Sequence, residues 1–123
     1  MLSSTEYFKD LVRTFADLCV NIENEESIHS KMDCFSDYTI EQIKKVDLSE
    51  IQKCFDFQEE RISDLNPELT NAMIVSYCES LLLGDVGQVM HDFTKYMKPK
   101  LLKMYSDYET YYYNLVDGTN RET

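Results

Sequence analysis

Residues 66–85 read NPELTNAMIVSYCESLLLGD. Asn66 supplies an N-cap oxygen, Pro67 occupies the first helical position where no amide donor is needed, and Glu68 places negative charge at the helix start. Behind them Leu69, Met73, Ile74, Tyr77, Cys78, Leu81 and Leu82 recur at the three- and four-residue spacing of one helical face. Gly84 is the stop, and Asp85 stands ready to cap whatever follows. Alternation of period two, the mark of a half-buried strand, is absent from this stretch. It reads as a buried amphipathic helix.

The same grammar extends in both directions. Ser3 and Glu6 have the spacing of a capping box, and Tyr7, Phe8, Leu11, Val12, Phe15, Leu18, Cys19 and Ile22 follow one face behind them. Asn24 to Ser27 reads as a break. A short helix through Ile28, Met32 and Phe35 is expected next, ending near Ser36 and Asp37. Thr39 with Gln42 and Asp47 with Glu50 look like further helix starts, the second opening a stripe through Leu48, Ile51, Phe55, Ile62 and Leu65. After Asp85, the inward set is Val86, Val89, Met90, Phe93 and Met97, until Pro99 kinks or ends the helix. A last helix carries Leu101, Leu102, Tyr105, Tyr108, Tyr112, Leu115 and Val116, and Gly118 ends it.

These signals predict an all-α fold, a compact single-domain bundle of about six or seven short helices over residues 1–118 with a polar tail over 119–123. A length of 123 residues suits one domain, and 43% hydrophobic residues, with nine Tyr and six Phe, can fill its core. Three Gly and two Pro are too few for the turns of an all-β sandwich.

Charge narrows the functions. The chain carries a formal net charge of −11. Residues 1–92 hold seven basic and nineteen acidic groups, whereas Lys95, Lys98, Lys100 and Lys103 form a basic cluster free of acids. Such a field opposes direct nucleic-acid binding and attachment to an anionic membrane, and favours encounter with a basic protein. No stretch has the features of a signal peptide or approaches the length of a membrane span, so the expected location is cytoplasmic, with Cys19, Cys34, Cys54 and Cys78 as reduced thiols near apolar faces. The even cysteine count leaves an alternative, a secreted helical carrier with two disulfides and an apolar ligand cavity.

Chemistry-bearing motifs are weak. Glu26-x-x-His29 has the spacing used in di-iron bundles, but its nearest companion, Gln88-x-x-His91, has an amide where an acid is required. Zinc spacings are absent, so a metal-dependent helical enzyme is the least favoured reading. Cys78 with His91 is a pairing that any chain of this composition offers. Glu59 and Glu60, being adjacent, face different sides of a helix and cannot converge. The expectation is therefore a protein without catalytic residues, cofactor or metal.

The aromatic C-terminus is the better candidate. Tyr105, Tyr108, Tyr112 and Leu115 share a face assigned to the core, while Tyr111 and Tyr113 diverge by about 100° on either side of Tyr112. At least one of three consecutive tyrosines must then be exposed, and an exposed tyrosine suits an interface. Tyr111, Tyr113 and Tyr108 are the candidate interface residues. Lys95, Lys98, Lys100 and Lys103 are expected to pair with neighbouring acids, or to form a patch for an acidic peptide or phosphate. The function expected is non-enzymatic protein–protein interaction, as an adaptor, inhibitor or assembly factor, with a homodimer among the possible assemblies.

Overall fold

A computed structural model describes the backbone of residues 1–121 and the side chains of residues 1–117. Seven α-helices make up the described chain: α1 (Ser4–Thr14), α2 (Cys19–Glu23), α3 (Ile28–Lys45), α4 (Leu48–Arg61), α5 (Pro67–Ala72), α6 (Glu79–Leu83) and α7 (Pro99–Arg121). The architecture is all-α. Among the described residues the only β-type pairing is an isolated bridge between Leu2 and Leu65.

The local start signals work as read. Ser3, Ser27, Asp47 and Asn66 each accept a hydrogen bond from the backbone amide three residues on, at 3.2, 3.0, 3.2 and 2.8 Å. Each satisfies a donor that a helix terminus leaves open.

Four readings are corrected by the structure. First, α3 does not end near Ser36. It runs unbroken to Lys45 because the hydroxyls inside it bond back to its own carbonyls, Ser36 to Asp33 at 3.0 Å and Thr39 to Phe35 at 2.9 Å. Second, the first helix breaks at Phe15, and a 3₁₀ turn (Ala16–Leu18) redirects the chain so that Leu18 and Ile22 still reach the core. Third, the helix expected after Asp85 is two 3₁₀ turns, Gly87–Asp92 and Thr94–Tyr96; Val89 is exposed, and Asp85 pairs with Lys44 at 3.0 Å instead of capping. The chain can make this turn only with glycine at 87, where any Cβ would overlap the Leu82 carbonyl. Fourth, Gly118 does not stop α7, which continues to Arg121. Residues 122–123 of the expected tail lie outside the described residues. Pro99 begins α7 rather than kinking a preceding helix, the same N-terminal use that Pro67 has.

Between α5 and α6 the winding widens to a π-helix, Met73–Cys78, so residues 67–83 form one rod with an inserted register shift. That shift lets Met73, Ser76 and Tyr77 sink against α3 while Ile74 and Val75 remain half-buried toward α7.

The core is aromatic at its centre. Tyr7, Phe8, Phe15, Phe35, Phe57 and Tyr77 form a chain of ring contacts with centroids 4.9 to 5.8 Å apart. The two hydroxyls of that ring chain are matched: the Tyr7 hydroxyl donates to Gln58 Oε1 at 2.6 Å, and the Tyr77 hydroxyl lies 2.9 Å from Thr39 Oγ1. Since Thr39 donates to its own helix, Tyr77 must donate to Thr39. A buried hydroxyl left unpaired would cost about 1–3 kcal/mol.

Candidate functional site

α7 is anchored from a distance. Its first amides, which no residue of its own can satisfy, are met by one carboxylate on α4. Lys100 N donates to Glu59 Oε2 at 3.2 Å and Leu101 N to Glu59 Oε1 at 2.8 Å. A negative charge there also complements the positive end of the helix dipole. Asp56, one turn earlier on α4, pairs with Lys98 at 3.3 Å. This double attachment fixes the start of α7 against the end of α4.

Beyond its anchor α7 gradually leaves the body. Leu101 and Tyr105 are buried, Met104, Tyr108 and Tyr112 pack half-buried on the core, and every described residue from Tyr113 to Asp117 is exposed. Leu115, expected in the core stripe, is 55% exposed. Leu102, also expected inward, is 36% exposed. Tyr111 is 60% and Tyr113 52% exposed, as the divergence from Tyr112 requires.

The departing helix leaves an open groove of about 660 Å³ along one side. Its floor and far wall are Ile62 and Ser63, just after α4, with Ile74 and Val75 of the π-helix. Its near wall is Met104, Tyr108 and Tyr111 of α7, with Lys100, Lys103 and Asp107 on the rim. Two of the candidate tyrosines and two of the candidate lysines therefore meet in one place. The others do not: Tyr113 faces a smaller recess beside Tyr105, Ser106 and Glu109, Lys98 is tied to Asp56, and Lys95 lies 5.5 Å from the ring of Tyr96. Lys103 pairs within its own helix, with Asp107 at 2.7 Å. The far wall has no sequence signal of its own, since Ile62 and Ile74 fall on stripes assigned to the core.

A second concavity, about 710 Å³, lies where the 3₁₀ turn after α1, the loop before α3, the outer face of α3 and the start of α4 converge. Asp17, Glu25, Asp37, Glu41, Asp47 and Glu50 line it, with Lys45 the one basic residue among its lining groups. The Tyr38 hydroxyl donates to Glu50 at 2.7 Å and its ionisation is pushed upward by burial and by that carboxylate. Cys34 registers the local field: burial first, then Glu25, Asp37 and Asp33, raise its thiol above the ordinary value. Net charge in the sequence thus becomes a localised acidic cleft.

The weaker motifs separate in space. Glu26 precedes the N-cap of α3 and is exposed, so it shares no helical turn with His29, whose Nδ1 lies 3.0 Å from Ser76 Oγ. His29 is half-buried rather than solvent-facing. His91 is exposed beside Asp92, whereas Cys78 is buried and its thiol is pushed up to about 12 by desolvation. No group of three or more His, Cys, Asp or Glu among the described residues could hold a metal ion. No described helix is long and apolar enough to cross a membrane. All four cysteines are free thiols; Cys54 and Cys78 lie in the core, and Cys19 and Cys34 are only half-buried.

Residues 5–113 match a family described as Domain of unknown function (DUF7674). The chain belongs to that family. The matched span includes every residue lining the groove and the acidic cleft, so both surfaces lie within the family's domain. No curated protein and no solved structure matches the chain.

Proposed function

We propose that this protein is a non-enzymatic protein–protein interaction module, acting as an adaptor, inhibitor or assembly factor. The observation that carries the reading is the groove beside α7. It has apolar and aromatic walls, it is open along its length, and it lies against a helix whose described residues from Tyr113 to Asp117 are exposed. Open apolar grooves of this form take the apolar face of a partner helix. Tyr108 and Tyr111 bring large contact area at little rotamer cost, and Lys100 and Lys103 favour acidic residues at the border. The acidic cleft lies on a different surface and adds a field that draws in basic segments of a partner.

The test is retention of protein partners, including untagged copies of the chain, by tagged wild-type protein and by Tyr111→Ser and Tyr108→Ser variants. Loss of a groove anchor should weaken retention by about 2 kcal/mol, roughly thirtyfold in affinity. Tyr111→Ser should leave the melting temperature nearly unchanged, because exposed substitutions seldom exceed about 0.5 kcal/mol. Retention equal to wild type in both variants would dismiss the groove as a recognition surface.

A further inference from the structure

We infer that the acidic cleft seats an extended, arginine-bearing segment of a partner protein, with the guanidinium among the cleft carboxylates and the segment's backbone against the Gln42 amide. This deepens the interaction reading and rests on it. The first observation is Gln42 itself. Its side chain is 7% exposed and lines the cleft, yet its amide makes no hydrogen bond among the described residues. A buried amide is ordinarily paired. Among the described residues, the only buried side-chain polar atom both sealed from solvent and unpaired is the Tyr105 hydroxyl. The Gln42 amide is therefore not sealed: it opens into the cleft that it lines. There it presents an acceptor oxygen and a donor nitrogen to whatever enters.

The second observation is the state of the carboxylates around it. Those of Asp17, Glu25, Asp37 and Glu41 make no ion pair or hydrogen bond among the described residues. Asp47 and Glu50 are partly engaged, Asp47 by the Glu50 amide at 3.2 Å and Glu50 by the Tyr38 hydroxyl at 2.7 Å. Lys45, the one basic lining group, is exposed and joins none of them in an ion pair. Together the two features select the cation. A metal ion needs donors that converge, and no three His, Cys, Asp or Glu among the described residues could hold one. A protonated polyamine meets scattered carboxylates but carries donors alone, which leaves the Gln42 nitrogen unmatched. A peptide supplies both halves, a backbone carbonyl for Gln42 Nε2 and a backbone amide for Oε1. On such a segment a guanidinium, with its donors in a flat fork, spans separated carboxylates better than the compact charge of lysine. Asp37 and Glu41 suit that fork: one turn apart on the cleft face of α3, they are offset by about 6 Å along the helix axis.

Calorimetric titration of the full chain with a capped Gly-Arg-Gly-Arg-Gly peptide, at about 50 mM salt where surface charge is weakly screened, tests this. One saturable site is expected, with the Gln42 side-chain amide among the signals that shift in nitrogen–proton NMR spectra. Gln42→Leu should weaken the peptide at least about tenfold and, because it removes an unpaired buried amide, should melt no lower than wild type. Asp37→Asn with Glu41→Gln, both at exposed positions, should weaken it at least about fivefold. Putrescine, which carries the same charge as the peptide, and the matching lysine peptide should each bind at least about fivefold more weakly. Absence of a saturable site overturns the inference, as does putrescine or the lysine peptide equalling the arginine peptide. Wild-type affinity in Gln42→Leu or in the Asp37 and Glu41 variant overturns it too. A cleft that refuses the peptide while Tyr111→Ser still loses a retained protein overturns the arginine segment and leaves the interaction reading intact. A cleft that takes the peptide while both groove variants retain every partner sustains this inference and dismisses the groove.

Discussion

Removing the Glu59 carboxylate should loosen α7 without touching α7 itself. The two amides at the helix start, Lys100 N and Leu101 N, have that single carboxylate as acceptor, at 3.2 and 2.8 Å. Hydrogen bonds to a charged group contribute about 1.5–3 kcal/mol each when buried, and a helix cap about 0.5–2 kcal/mol. Glu59 is half-buried, so water replaces part of what is lost. Glu59→Ala should therefore cost about 2 kcal/mol. Glu59→Gln, which keeps one acceptor oxygen but loses the charge and the second acceptor, should cost about 1 kcal/mol. In a domain of this size each kcal/mol lowers the melting temperature by about 3–6 °C, so alanine should show a fall of about 6–12 °C. Urea unfolding gives the free energies, and amide hydrogen exchange at Lys100 and Leu101 locates them. Exchange should quicken there in both variants and stay unchanged at the first turn of α5, which Asn66 caps independently. A loss below about 0.5 kcal/mol in Glu59→Ala, with protection retained, would show that α7 is held by its apolar face alone.

Two further outcomes follow from backbone and burial. Val46 closes α3 in the left-handed region, φ 55° and ψ 40°, where a β-branched residue is strained, and its side chain is mostly exposed. Val46→Gly should relieve about 1–2 kcal/mol of that strain, less about 0.5 kcal/mol of added chain entropy, and so stabilise the fold in urea titration; a lower unfolding midpoint would refute the assignment. Burial raises the thiols of Cys54 and Cys78 from 9.0 to about 12. Because the folded values are the raised ones, their contribution is whole below about pH 9 and is lost as pH climbs toward 12, up to about 4 kcal/mol for each. Urea midpoints should fall steeply over that window and less steeply in Cys78→Ala, whereas a flat profile would mean the thiols are wet.

Much of this fold is legible because its instructions are local. Ser3, Asp47 and Asn66 announce helix starts within four residues, and the face through Leu69, Met73, Tyr77 and Leu81 needs only the helical repeat. The failures have a common physical form. Ser36 and Thr39 resemble breaks because their hydroxyls can leave the helix as readily as bond back to it, and the tertiary contact of Thr39 with Tyr77 sets the outcome. The π-helix cannot be read from spacing, since its register shift is chosen by what α3 and α7 demand of opposite sides of one rod. Glu59, read as one of two acids unable to converge, caps a helix that begins forty residues later. The candidate site divides the same way. The divergent tyrosines and the lysine cluster are legible in the sequence, but the groove exists only because Ile62, Ile74 and Val75 come to lie beside them.

The placement of the two surfaces on α4 bears on how such a module would work. Asp47 and Glu50, at the start of α4, line the acidic cleft, while Ile62 and Ser63, just past its end, floor the groove. Fourteen helical residues separate them, about 20 Å. At that separation, and with no residue shared between their walls, occupation of one surface neither blocks nor requires the other. Under the proposed interaction function, a partner that carries both a basic segment and an apolar helix would engage the two surfaces together, with a higher effective concentration at the second contact than at the first.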